Sequence, residues 1–206
     1  LEYNIKTWFD VQMQNFLRND KIANLPGIKS ANHPDAYSIN KIEFCPNWVD
    51  EQAPLKTKKY ITQLITECDI PPTNDITQIL INLKQQGLPV KIHGGTKCPD
   101  GFVKDTKVLP STALLVHEKR LGINCYAVLK ALDMGIPVYM SQFTKKMIGF
   151  GDLPDDLFYF SEQIGIREAY EDALNRDNSL IQEEYRSVYT LDRTKLCVQN
   201  ILDRYK

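Results

Sequence analysis

Apolar positions along this chain recur with a helical spacing in three places. Ile61, Leu64, Ile65 and Cys68 stand at i, i+3, i+4 and i+7, as do Ile76, Ile79, Leu80 and Leu83, and again Cys125, Val128, Leu129 and Leu132. Each set makes one apolar stripe down a helix. Thr73 or Asn74 suits the N-cap of the second helix and Asn124 that of the third, since their side-chain oxygens can accept from first-turn amides. Gly87 and Gly135 follow the second and third stripes, where a helix ends most readily on a left-handed residue. Short apolar runs lie among these helices: Ile42–Cys45, Val90–Ile92, Thr112–Val116, Val138–Met140 and Leu157–Phe160. They lack clean period-two alternation, which predicts strands covered on both faces. Strands alternating with helices predict βαβ units and a parallel sheet.

Two joints in this pattern share a sequence. "GLPV" at Gly87–Val90 and "GIPV" at Gly135–Val138 each follow a helical stripe and open an apolar run. The glycine ends the helix. The proline enters the strand at its start, where no ladder donor is lost. With no third copy, the echo marks two similar helix-to-strand joints rather than a solenoid repeat.

The two ends of the chain differ from this middle. Phe9, Met13, Phe16 and Leu17 suit a helix, and "NLPGIKSANHPDAYSINK" is rich in turn formers and reads as a loop. Toward the C-terminus, Ile166–Leu174, Ile181–Val188 and Val198–Tyr205 each carry helical spacing. The expected organisation is an N-terminal helix and loop over residues 1–38, a remnant of a preceding domain, and an α/β domain over residues 39–206.

Composition narrows the functional classes. The 206 residues include 43% hydrophobic and 25% charged side chains and carry a formal net charge of -1. This is an ordinary globular balance, and it provides no long-range attraction to nucleic acid or to an anionic membrane. No run approaches the ~18 apolar residues of a membrane span. The first residues are not a signal peptide, so a cytoplasmic setting is expected. The sequence does not begin with Met, which suggests a fragment or a processed chain. The five cysteines, Cys45, Cys68, Cys98, Cys125 and Cys197, include no CxxC pair. That argues for reduced thiols rather than a disulfide framework or a zinc knuckle. No cofactor and no metal are expected.

Ligands of open α/β sheets gather beyond the carboxyl ends of the strands, and the unusual residues stand there. His93, Gly94 and Gly95 follow one run. His117, Glu118, Lys119, Arg120 and Asn124 follow the next, and Ser141 follows "PVYM". The glycine pair either turns the chain or admits a ligand to the backbone. "RLGINCYAVLKAL" runs from a loop into a helix N-terminus, where the amides of Cys125 and Tyr126 and the helix dipole favour an anion. Arg120 can add charge. Cys125 there is either a nucleophile or part of the apolar stripe. There is no G-x-x-x-x-G-K-[ST], no G-x-G-x-x-G and no G-x-S-x-G, so a P-loop, a dinucleotide fingerprint and a nucleophile elbow are not indicated.

"STALLVHEKRLGINCYAVLKALDMGIPVYMS" (Ser111–Ser141) resembles the nucleotide-sugar-binding half of two-domain (GT-B) glycosyltransferases. In that family a strand leads through a loop to a helix whose N-terminus receives the donor diphosphate, and the helix ends in a Gly-x-Pro-Val-like turn. "DLPDDLFYFSEQIGIREAYEDAL" resembles the family's later strand and helices, and "INKIEFCPNWVDE" the segment leading into its second domain. The resemblance covers roughly residues 39–206. It implies a Rossmann-like open parallel sheet with helices on both faces and a helical C-terminal segment. It implies donor and phosphate contacts from Asn124, Cys125 and Tyr126 with Arg120 as a phosphate partner, and a ribose contact from Glu118; His93, Gly94, Gly95 and Ser141 join the candidate donor site from their places at the strand ends. The implied partners are a nucleotide-diphosphate sugar, an acceptor, and a separate acceptor-binding domain or partner chain. Two departures stand out. Lys130 occupies the place of a glutamate found in many retaining members, and no glutamate stands near Gly122, where another would fall. A non-catalytic nucleotide-binding or sensor module is the alternative. A nuclease built on Asp35 and Glu43 lacks its lysine, since Cys45 stands in that place.

Overall fold

The computed structural model describes residues 8–10, 28–31, 43–44, 51–53, 55, 57–65, 73–94, 109–119 and 125–204. Strands β1 (Trp8–Asp10), β2 (Ile28–Ala31) and β3 (Glu43–Phe44) form a three-stranded sheet in the order β1-β2-β3. Both pairings are parallel, with Trp8 opposite Ile28 and Ser30 opposite Glu43. Within the apolar run at Ile42–Cys45, Glu43 and Phe44 are in a strand, while Ile42 and Cys45 lie outside the described residues. The helix expected from Phe9 is not formed at that residue, which pairs in β1. The turn-rich stretch contains β2. Met13, Phe16 and Leu17 lie outside the described residues.

The second sheet has five strands: β4 (Tyr60–Ile65), β5 (Val90–Gly94), β6 (Thr112–Val116), β7 (Val138–Met140) and β8 (Phe158–Phe160). All four pairings are parallel and the order is β5-β4-β6-β7-β8. The helices are α1 (Thr73–Gln85), α2 (Tyr126–Asp133), α3 (Gln142–Met147), α4 (Ile166–Asn175), α5 (Asn178–Val188) and α6 (Leu191–Arg204). The structure is therefore the Rossmann-like α/β arrangement, with its helical C-terminal segment.

Alternation along the strands sorts the side chains into two cores. Leu115, Val138, Met140, Phe158 and Phe160 pack with Val128, Leu129 and Leu132 of α2 and with Ile181 and Tyr185 of α5. Their neighbours Leu114, Val116, Tyr139 and Tyr159 pack with Leu80 of α1 and with Ile166, Ala169 and Ala173 of α4. Both faces of the sheet are covered, which explains the apolar runs without alternation.

One helical stripe proves to be a strand. Ile61, Leu64 and Ile65 lie in β4, while Cys68 is outside the described residues. Ile61, Thr62 and Gln63 are all buried. Three consecutive buried positions fit a central strand, whereas an amphipathic helix would expose one of them. The polar pair is accommodated by hydrogen bonds. The Thr62 and Thr112 hydroxyls meet at 2.8 Å, and Thr77 Oγ1 donates to Gln63 Oε1 at 2.9 Å.

The two Gly-x-Pro-Val joints have one architecture. Gly87 N donates to Lys84 O and Leu88 N to Leu83 O, while Gly135 N donates to Leu132 O and Ile136 N to Ala131 O. Each is a Schellman closure on a left-handed glycine, with φ of 90° at Gly87 and 79° at Gly135. Pro89 O then accepts from Ile61 N at 3.0 Å and Pro137 O from Leu115 N at 3.1 Å. The proline thus contributes its acceptor to the ladder just before each strand begins.

Candidate functional site

Because the strands are parallel, their carboxyl ends share one edge. The strand order reverses beside β4: β5 pairs with one side of it and β6 with the other. The crevice between the ends of β4 and β6 is the topological switch point, where open α/β sheets hold ligands. His93 and Gly94 end β5, His117 follows β6, and Ser141 follows β7. Leu64 is in register with His93, and Gln63 with Val116. Consequently His93, Leu64 and His117 occupy one row on one face of the sheet. Leu64 and Cys125 both pack against the core that includes α2. Both histidines are buried, at 5% and 2% exposure. Among the described residues, His117 Nε2 has no hydrogen-bond partner. Gly95, Arg120 and Asn124 lie outside the described residues.

The helix expected to start at Asn124 is capped instead by Cys125, in an extended conformation (φ -63°, ψ 115°) with no side-chain capping hydrogen bond. Cys125 O accepts from Val128 N at 2.8 Å and Leu129 N at 3.1 Å, so the first-turn amides precede the helical ladder. Tyr126 is 59% exposed. Cys125 is half-buried against the core. Burial by itself raises the thiol pKa. The charge of His117 and a hydrogen bond with it, the charge of Lys119 and the Ala127 amide outweigh burial and bring the pKa down to about 6. Of the two sequence readings of Cys125, the structure shows the packing one: its side chain lies against the core.

Ser141 and Glu118 meet each other. Ser141 is the N-cap of α3 and accepts from Thr144 N at 3.0 Å. The Glu118 carboxylate accepts from Ser141 N at 2.7 Å, and from Ser141 Oγ and Thr144 Oγ1 at 2.5 Å each. Gln142 N donates to Glu162 at 3.1 Å. The start of α3 is thus neutralised by the protein's own carboxylates. Burial raises the pKa of the Tyr139 hydroxyl, and repulsion from Glu118 and Glu162 raises it further. Helices α1 and α4 carry Asp75 and Glu168 in their first turns, whereas α2 has no acidic residue there.

The sequence reading did not anticipate Glu162 or the partnership of Glu118 with Ser141. The available signal was the Ser-x-x-Thr spacing of Ser141 and Thr144, in which the serine hydroxyl caps the threonine amide. Nor did it identify the β4–β6 crevice, since it assigned β4 to a helix. Among the described residues no group of three His, Cys, Asp or Glu side chains is placed to hold a metal, and no helix is long and apolar enough to cross a membrane.

No family model matches the chain, and no curated protein sequence does. Solved structures do match. The crystal structure of TarM aligns with a TM-score of 0.60 at 13% identity, over 95% of this chain and 54% of that one. A mutant of S. aureus TarM in complex with fondaparinux, alpha-GlcNAc-glycerol and UDP aligns with a TM-score of 0.60 at 16% identity, over 85% of this chain and 44% of that one. The apo lipopolysaccharide outer core galactosyltransferase WaaB aligns with a TM-score of 0.58 at 11% identity, over 86% of this chain and 62% of that one. The chain spans about half the length of the TarM structures, and at these identities the likeness is one of fold. The chain shares the Rossmann-like α/β fold of GT-B glycosyltransferases, as the resemblance of its Ser111–Ser141 segment implied.

Proposed function

We propose that this chain is the donor-binding part of a glycosyltransferase and takes a nucleotide-diphosphate sugar at the β4–β6 crevice. The observation that carries this reading is the contrast between helix starts at the sheet edge. The N-terminus of α3 is filled by Glu118 and Glu162, α4 has Glu168, and α2 alone faces the switch point with no acidic residue in its first turn. A diphosphate there would be held by the amides of Cys125 and Tyr126 and by the helix dipole. Arg120 and Asn124 would add charge and a hydrogen bond. As the bond to the sugar breaks, negative charge grows on the departing diphosphate. Donors fixed in advance around it lower that barrier, and the crevice holds the sugar in line for attack. The acceptor, and any base that deprotonates it, would come from a separate domain or partner chain. The fold likeness to WaaB and TarM supports glycosyl transfer, and the neighbour crystallised with UDP supports a nucleotide ligand.

Calorimetric titration with uridine, guanosine, adenosine and cytidine diphosphate sugars tests the site. Saturable binding of at least one is expected. Arg120→Ala combined with Asn124→Ala should weaken it about tenfold or more, as expected when one or two charge-assisted hydrogen bonds are lost. No binding, or full affinity in the double variant, would remove the site from α2. The non-catalytic alternative draws on Lys130, which is solvent-exposed on α2 where many retaining enzymes carry a glutamate. Following a bound nucleotide sugar over hours with acceptors present separates the two: release or transfer of the sugar marks an enzyme, an unchanged ligand a module.

A further inference from the structure

The chain between β3 and β4 joins the two sheets, and at Gln52 both its backbone N–H and its carbonyl are held by side chains distant in sequence. Gln52 N donates to Asp133 Oδ2 at 2.5 Å, and Arg186 Nη2 donates to Gln52 O at 3.1 Å. The two side chains also grip each other, with Arg186 Nε donating to Asp133 Oδ1 at 2.7 Å and Nη2 to Oδ2 at 3.2 Å. Gln182, one turn before Arg186 on α5, donates to Asp133 O. Further along, Leu55 packs against the core of α2 and α5. Lys58 Nζ donates to Ala173 O at 3.1 Å and to Arg176 O, at the C-terminal end of α4. The Tyr170 hydroxyl of α4 donates to Lys59 O at 2.9 Å. Helices α2 and α5 pack into one core of the sheet and α4 into the other. This stretch is thus fastened to one layer and then to the opposite one before β4 begins.

The end of α2 is a costly place for the Asp133 carboxylate. It is the last residue of the helix, at the negative end of the helix dipole, and its side chain is 4% exposed. A buried ion pair returns little or no net stability over apolar side chains of similar size. An apolar pair, however, would offer the Gln52 amide no acceptor and the Gln52 carbonyl no donor. We propose that Asp133 and Arg186 form a latch that makes the chain from Gln52 to β4 one body with the α/β domain. Movement between the part carrying β1–β3 and the five-stranded sheet then pivots on the N-terminal side of Gln52. The latch sets the path of the chain and not the stability of the fold.

Hydrogen exchange of the whole chain, resolved to the Gln52 amide, tests this against urea unfolding of the same samples. In the unmodified chain the Gln52 amide should be protected. The double variant Asp133→Leu with Arg186→Met removes both charges together, so that neither is left buried alone. It should keep or raise the urea midpoint while the Gln52 amide exchanges about tenfold faster or more, as loss of a charge-assisted hydrogen bond permits. Exchange in α2 and α5 should stay as it was. An unprotected Gln52 amide in the unmodified chain, or unchanged exchange in the double variant, overturns the proposal. So does faster exchange at Gln52 that comes only with faster exchange throughout α2 and α5, because the pair would then be holding the fold. Should the double variant fail to fold, Arg186→Lys decides. It keeps a cation beside Asp133 and loses the fork that also reaches Gln52 O, so the Gln52 amide should exchange about threefold faster; no change refutes the latch. No nucleotide enters these measurements, so their outcome is separable from that of the donor reading.

Discussion

Gly87 and Gly135 occupy equivalent places in one motif and should differ sharply in tolerance to a methyl group. Both have φ in the left-handed region, so alanine at either costs about 1–2 kcal/mol in backbone strain. At Gly87 an added Cβ meets nothing within 4 Å. At Gly135 it would stand 2.2 Å from the Asn178 carbonyl oxygen and 2.9 Å from Asn178 Cβ. Those atoms belong to the first residue of α5, whose Ile181 and Tyr185 are in the core with α2. The helix start must move, and overpacking of this kind adds about 1–3 kcal/mol. Gly87→Ala is therefore expected to cost about 1–2 kcal/mol and Gly135→Ala about 2–5 kcal/mol. In urea unfolding followed by circular dichroism, the midpoint of Gly135→Ala should lie about 0.5–1 M below that of Gly87→Ala. Equal midpoints would refute the reasoning, because they would mean that the contact with Asn178 carries no energy.

Two further outcomes follow from the polar network. Glu118→Gln replaces an acceptor of three hydrogen bonds with a group that presents its own donors to Ser141 and Thr144. It should lower stability by about 1–3 kcal/mol in urea unfolding, and wild-type stability would show that the carboxylate does not hold α3. Burial keeps Tyr159 neutral, and its hydroxyl donates to Asp172, raising its pKa to about 12. Burial also raises Tyr185 and Tyr189, with Asp133 and Asp152 respectively as nearby negative charges. Since these folded values lie above the unfolded value of about 10, their contribution is complete below pH 10 and is lost as the pH rises toward 12 and beyond. The tyrosinate absorbance of these three should therefore appear together with the loss of ellipticity; their reversible titration near pH 10 in a folded chain would contradict it.

Local stereochemistry was legible wherever it settles the backbone. Gly-x-Pro-Val ended α1 and α2 and began β5 and β7, because a left-handed glycine and a donor-less proline leave the chain few alternatives. The runs at Thr112–Val116 and Val138–Met140 and the stripes of α1, α4 and α5 were equally legible from period and length. Residues 61–65 were not. Ile61, Leu64 and Ile65 at helical spacing fit a strand as well as a helix when both faces are covered, and the choice fell to pairing with β5 and β6, which are distant in sequence. The candidate site divides the same way. Its expected place beyond the strand ends came from the sequence, which set the N-cap of α2 at Asn124, one residue before the Cys125 cap of the structure. The crevice between β4 and β6, the tying of Glu118 to α3, and the placing of His117 against the Cys125 thiol were decided by strand order and by contacts between segments. A sequence by itself determines what each short stretch can become, through backbone sterics and periodicity. Which charges neutralise one another, and which are left to meet a ligand, is settled only when the sheet brings its strand ends together.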